Sequence, residues 1–221
     1  MELKETIRKR QSIRAFKPDP VPKEVLHEIM AHALLSPSWG NTQPWEFCIV
    51  GGDTLKKLGE DFSNKKLNKS PENPDLEMPE EWPELCMSRY RTVGKGLFET
   101  LSIGREDRDK RDQHYINMFR FFGAPNAIYV YIDKELGIYS VLDVGIIVGN
   151  VSLLATDYGL GTCIEAAVVR YPDMVRKRLN IPESKKLVVG MAIGYPDWDS
   201  PYNKYKSSRE GVDTLVRWVE G

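Results

Sequence analysis

The stretch from Ser140 to Tyr158 constrains this chain most, because it reads as a helix that is apolar nearly all the way round. A helix without a polar face has to be buried on most of its sides. In a chain of 221 residues that puts it at the centre of the domain, at an interface between subunits, or both. Gly145 and Gly149 stand four apart along it. The wider run from Val141 to Val169 carries Asp143, Asp157 and Glu165, so it reads as core rather than as a membrane span.

The remaining segments alternate between helix and strand. Residues 2 to 9 read as a short helix, and Pro22 opens a second with Val25, Leu26, Ile29, Met30, Ala33 and Leu34 on one face. Trp45 to Val50 reads as a strand stopped by Gly51-Gly52, with Asp53 as the N-cap of the next helix. Between Asn64 and Glu84, Pro71, Pro74, Pro79 and Pro83 sit among polar residues, which predicts an exposed insertion. Helical spacing returns from Leu85 to Ile103, and the charged run Arg105 to Gln113 reads as a solvated helix face. Asn126 to Ile132 alternates as a strand, with Tyr129 and Tyr131 on one side. Gly161 to Ala167 reads as a strand or an extended approach to a site, Pro172 to Leu179 as a short helix, and Lys186 to Ile193 as a buried strand. The tail, Val212 to Val219, alternates weakly and has no evident partner in its own domain. Without repeats, this order predicts an α+β or α/β class with a mixed sheet.

Several chemistries are disfavoured. Lys and Arg number 31 against 32 Asp and Glu, which leaves no basic footprint for nucleic acid. Cys48, Cys86 and Cys163 match no zinc spacing and require no disulfide, so a soluble protein of the reducing cytoplasm is expected. The first residues lack an apolar run of the signal-peptide kind. Gly159-Leu-Gly161 is an incomplete dinucleotide fingerprint, and neither a nucleophile elbow nor a phosphate-cradling Walker loop occurs. His27 and His32 lie five apart, and His114 falls in the charged helix, so surface or packing roles are expected for all three. No side-chain nucleophile, metal site or acid–base pair emerges, and the chemistry is left to a cofactor.

Two stretches suit such a cofactor. Arg8-Lys-Arg-Gln-Ser-Ile-Arg-Ala-Phe16 packs four cations and a hydroxyl into seven residues. Guanidinium forks beside a hydroxyl match a phosphate or another planar anion. Ser36-Pro-Ser-Trp-Gly-Asn-Thr-Gln-Pro-Trp45 is a polar, aromatic loop of the kind that carries binding sites, with Trp45 assigned to the core.

In order along the chain, Arg10-Gln-Ser-Ile-Arg14, Pro20-Val-Pro22, Pro37-Ser-x-x-Asn41-x-Gln43-Pro-Trp45 and Gly190-x-x-x-Gly194-Tyr195 resemble the nitroreductase family of FMN enzymes. Phe121-Phe-Gly-Ala-Pro125, and the ending from Ser200-Pro-x-Asn203 to Arg209-Glu210, are most similar to its para-nitrobenzoate reductase branch. The resemblance implies an α+β fold, a mixed but mostly antiparallel sheet flanked by helices, in an intertwined homodimer with FMN at the interface. It implies a single domain over residues 1–221, with a cap insertion at about 64–119. Arg10, Gln11, Ser12 and Arg14 would contact the FMN phosphate, the ribityl chain and the pyrimidine edge, although Gln11 departs from the basic residue common there. Arg209 would reach the phosphate from the C-terminal side. Pro37, Ser38, Trp39 and Asn41 would come from the partner subunit, and the backbone at Ala166 and Ala167 would lie near flavin N5. Arg14 would stabilise the negative charge that reduced flavin carries near N1 and O2. The implied activity is ping-pong transfer of electrons from NADH or NADPH to a small nitroaromatic acceptor. Reductive dehalogenation, enone reduction and a non-enzymatic flavin-binding dimer remain as alternatives.

Overall fold

The computed structural model describes residues 1–220. Its centre is a four-stranded sheet in the order β1-β2-β4-β3, formed by β1 (Glu46–Gly51), β2 (Asn126–Asp133), β3 (Gly161–Glu165) and β4 (Lys185–Gly194). All three strand pairings are antiparallel. The parallel component expected of a mixed sheet is confined to one isolated bridge, Ser12 to Thr162, at the outer edge of β3.

The period-two alternation of β2 and β4 divides the core. Ile128, Val130, Ile132, Met191 and Ile193 turn to one face, under α2 (Lys23–Ala33) and α6 (Ile138–Asp157). Ala127, Tyr129, Leu187 and Ala192 turn to the other, under α3 (Gly52–Leu67), α5 (Arg108–Phe119) and α7 (Pro172–Leu179). Phe62 of α3 stacks on Phe119 of α5 at 5.7 Å and lies edge-on to Phe121 at 6.4 Å. Cohesion under that face therefore comes from a cluster of aromatic rings.

Only half of α6 is used in this packing. Val144, Ile147, Val148, Val151 and Ala155 are buried, whereas Ile138, Tyr139 and Leu142 stay 60–73% exposed. It is the one helix among the described residues long and apolar enough to cross a membrane, and its buried stripe shows it serving as core.

Four local expectations are corrected. Asp53 lies inside the first turn of α3, where Gly51 is the N-cap and no side-chain cap bond forms. Leu34 is 46% exposed, because α2 ends at Ala33 and leaves it off the buried stripe. The strand expected to reach Ala167 stops at Glu165, and Ala167–Val169 forms a tight 3-10 turn. The tail forms one helical turn, α8 (Val212–Leu215), and a coil whose apolar residues are all exposed.

The proline-rich stretch is exposed at its side chains, yet it is tied down. Asp75 accepts from Arg176 Nη1 at 2.6 Å and from the Leu187 backbone N–H at 2.8 Å, while Arg176 Nη2 also donates to Asp173 at 2.7 Å. Asn73 N–H donates to Arg170 O at 3.0 Å. An Arg176 that is 6% exposed thus fastens residues 70–76 to α7 and β4. From there the chain passes to α4 (Glu84–Thr100), whose only buried residue is Leu97, and then to α5.

Candidate active site

The free edge of β3 collects the N-terminal cations. After α1 (Leu3–Lys9) the chain runs extended beside β3, with Ile13 N–H donating to Thr162 O at 2.9 Å and Lys17 N–H to Tyr195 O at 2.8 Å. Gly161 makes the approach possible: a Cβ there would collide with the Ile13 side chain and come within 2.9 Å of Pro196 Cγ. Ile13 is 2% exposed. Its neighbours Ser12 and Arg14, with Arg10 and Gln11, line a cleft of about 650 Å³.

The opposite wall is the segment after β4. Asn203, 3% exposed, accepts from the Arg14 N–H at 2.8 Å and donates to Ala15 O and Asp197 O, both at 2.8 Å. Gln11 Nε2 donates to Asn203 O at 2.9 Å, and Lys206 Nζ to Arg8 O at 2.6 Å. These bonds bring Tyr205, Lys206, Ser207 and Arg209 to the cleft. Arg209 Nη1 donates to Ser207 Oγ at 2.8 Å and to Ser208 O at 2.7 Å, which curls it over its own loop.

Electrostatics marks this as an anion site. Arg10, Arg14 and Arg209 have no carboxylate within ion-pair reach among the described residues. Burial, and then the nearby Arg209 charge, holds the Arg10 guanidinium below its usual range. Like charges gathered without a protein counter-ion favour an anion between them.

An aromatic cluster ties α4 and α5 to the segment after β4. His114 of α5 stacks on Tyr202 at 5.7 Å and 7°, and lies edge-on to Phe98 of α4 at 5.3 Å. Burial, followed by the Arg14 charge, depresses the imidazole to about 4. His114 is thus neutral and 5% exposed, a packing role rather than part of a solvated face. Tyr205 lies against Gly96 of α4, where a Cβ would sit 2.5 Å from its ring.

Of the residues singled out in the sequence, Arg10, Gln11, Ser12, Arg14 and Arg209 come together in one cleft. Pro37, Ser38, Trp39 and Asn41 do not line it and are held on α6 instead. Asn150 Nδ2 donates to Ser36 Oγ at 2.7 Å, and Asp143 Oδ1 accepts from the Trp39 N–H at 3.1 Å. Trp39 is 70% exposed, whereas Trp45 is in the core at 6%. Ala166 is exposed at the end of β3 and Ala167 is buried. Sequence reasoning missed Asn203, Tyr205, Lys206 and Ser207, although Asn203 belongs to the C-terminal motif and a polar residue after a Ser-Pro turn is a usable signal. It also passed over Glu165, buried one residue before Ala166.

The sequence model described as the Nitroreductase family matches residues 7–195, which include the N-terminal cation cluster and all four strands. The chain belongs to the nitroreductase family. Among curated nitroreductases, the 4-nitrobenzoate reductase of Pseudomonas putida is 29% identical over 210 residues, covering 95% of this chain and 92% of that one. The nitrobenzene nitroreductase of Ectopseudomonas oleovorans is 28% identical over 217 residues, covering 96% and 95%. Among solved structures, the FMN-dependent nitroreductase NfnB from Mycobacterium smegmatis in complex with NADPH superposes with a TM-score of 0.94. It is 28% identical and covers 98% of this chain and 97% of its own. The α+β nitroreductase fold implied by the motifs is the fold observed.

Proposed function

We propose that this nitroreductase is an FMN-dependent oxidoreductase that moves electrons from NADH or NADPH to small nitroaromatic acceptors of the nitrobenzoate kind. The observation that carries the reading is the cleft in which Arg10, Arg14 and Arg209 converge without a counter-ion among the described residues. Its size suits a cofactor, and its charge suits a phosphate-bearing one, so the residues fit FMN. When bound, FMN supplies hydride acceptance and donation. The chain's own residues bind, orient and exclude water.

In this reading Arg10, Ser12 and Arg209 hold the phosphate and ribityl end, with Asn203 fixing the backbone that presents them. Gln11 and Arg14 face the pyrimidine edge, where a fixed guanidinium favours negative charge. Ala166, small and exposed, presents backbone at the ring edge, and Ala167 closes the wall behind it. Pro37, Ser38, Trp39 and Asn41 belong to the site of the other protomer, which accounts for their distance from their own cleft. The exposed apolar side of α6 and the exposed apolar tail are the surfaces of that homodimer. Residues at about 64–119 form the cap, with α4 and α5 excluding water from the acceptor. Cytoplasmic residence belongs to the same reading and is supported by three unpaired cysteines.

The test is the visible spectrum of the purified protein, followed anaerobically by a nicotinamide and then a nitrobenzoate. Bound FMN should bleach with NADH or NADPH and recover with the nitro compound, in a species that elutes as a dimer. A protein that takes up no FMN, or holds it as a stable monomer, would overturn the reading.

A further inference from the structure

Glu165 is a titratable group buried without a partner. It ends β3 and is 4% exposed, yet neither carboxyl oxygen has a hydrogen-bond partner. Its position follows from register. Gly190 of β4 pairs with Tyr129 of β2 on one side and with Glu165 on the other, so both side chains share the face that carries α3, α5 and α7. Val168 fills the place that a side chain at Gly190 would occupy, which seals the row from above. Tyr129 is fully buried, and its hydroxyl is also unpartnered.

The groups that face Glu165 are few. Arg14 approaches from the N-terminal segment without bonding to it, Tyr129 stands on β2, and Cys163 lies two residues back on β3. Cys48 follows Tyr129 in the same cross-strand row on β1. Only Arg14 is cationic. An ionised carboxylate here would be a desolvated charge with no donor, a far costlier arrangement than a neutral acid.

We propose that Glu165 is an uncharged carboxylic acid and a positioning residue, which shapes the wall behind Ala166 while leaving the Arg14 charge free for an anion in the cleft. The inference rests on the FMN reading above. Burial drives the carboxyl well above its ordinary range, and the Arg14 charge opposes this only in part. Burial likewise pushes the Tyr129 hydroxyl well up. The row from Cys48 to Glu165 therefore carries no charge at neutral pH. A guanidinium, by contrast, stays protonated throughout. Were Glu165 ionised, it would compensate Arg14 from behind and weaken the hold on any anion in front.

The experiment uses the whole protein, first checked for FMN uptake. Infrared difference spectra of wild type and Glu165→Gln are compared near neutral pH, with ¹³C-glutamate labelling of the wild type as a second readout. The expected result is a deuterium-sensitive carboxylic-acid carbonyl band that the variant lacks, and a labelled carboxyl that resists titration. Stability against pH provides a further readout. A carboxyl raised on folding favours folding most at low pH, and this advantage falls as the unfolded chain ionises. Above about pH 5, the folding constant of wild type relative to Glu165→Gln should fall by up to about tenfold per pH unit until the folded carboxyl itself ionises. Carboxylate bands alone near neutral pH, or parallel stability curves, would overturn the inference. If Glu165→Gln fails to fold, the labelled wild type decides by itself. Absence of FMN uptake would instead sink the functional reading and leave the charge state of Glu165 measurable.

Discussion

Replacing His114 with phenylalanine should remove much of the protein's loss of stability in mild acid. The imidazole is neutral in the folded chain because burial, and then the Arg14 charge, depresses it to about 4 from the usual 6.5. The unfolded chain binds the proton first, so the stability involved is complete above the unfolded value and is lost as pH falls through the window toward about 4. At 1.36 kcal/mol per pH unit, the whole shift corresponds to about 3 kcal/mol. That is a large share of the roughly 5–15 kcal/mol that holds a domain together. His114→Phe keeps a flat ring against Tyr202 and Phe98 and cannot take up the proton. Urea denaturation at intervals between about pH 7 and about pH 4 should therefore show wild type losing about 3 kcal/mol more than the variant. Losses that run in parallel would refute the argument, since every other titrating group is common to both proteins.

Three further outcomes follow from the geometry. Arg14→Ala should weaken FMN retention by about tenfold or more, the loss of one charge-assisted bond, as read by flavin release in equilibrium dialysis. Unchanged retention would remove Arg14 from the site. Asn203→Ala, which strips partners from the Arg14 N–H and two partly buried carbonyls, should cost about 2–4 kcal/mol in urea denaturation and weaken FMN retention with it. Stability lost without any change in FMN retention would separate Asn203 from the cleft. Arg176→Met leaves Asp75 without its cation, and about 3 kcal/mol of destabilisation is expected, with earlier proteolytic cleavage within residues 70–84. Proteolysis that begins elsewhere would show that the strap is not held by this pair.

The legible parts of this molecule were those in which local chemistry and periodicity agree. The apolar α6, the alternation of β2 and the guanidinium forks from Arg10 to Arg14 each announce a burial pattern or a ligand type, whereas Arg209 was indicated only by the family resemblance. Asp53 misled because an acidic residue after glycines satisfies the capping pattern, yet Gly51 in extended conformation holds the N-cap position. Glu165 was illegible for another reason. A charged residue type at the end of a strand reads as solvent-facing, and its burial depends on sharing a cross-strand row with Tyr129 through Gly190. Asn203 carried a turn signal, but its partners did not, since Gln11, Arg14 and Ala15 lie at the far end of the chain. The tail has an alternating pattern but packs against nothing that buries its apolar side chains among the described residues.

That last kind of distance carries a temporal consequence. The cations of the cleft are synthesised well before the backbone that orients them. Gln11 and Arg14 wait for a residue 192 and 189 positions later, and Ser12 waits for β3 before it has a bridging partner. A nascent chain released before Asn203 therefore carries the cations without the scaffold that makes them a site. Ligand that binds only the closed arrangement would stabilise finished chains and leave truncated ones unaided. FMN supply during synthesis would then act as a check on completeness, raising the yield of full-length protein while leaving fragments to the proteases.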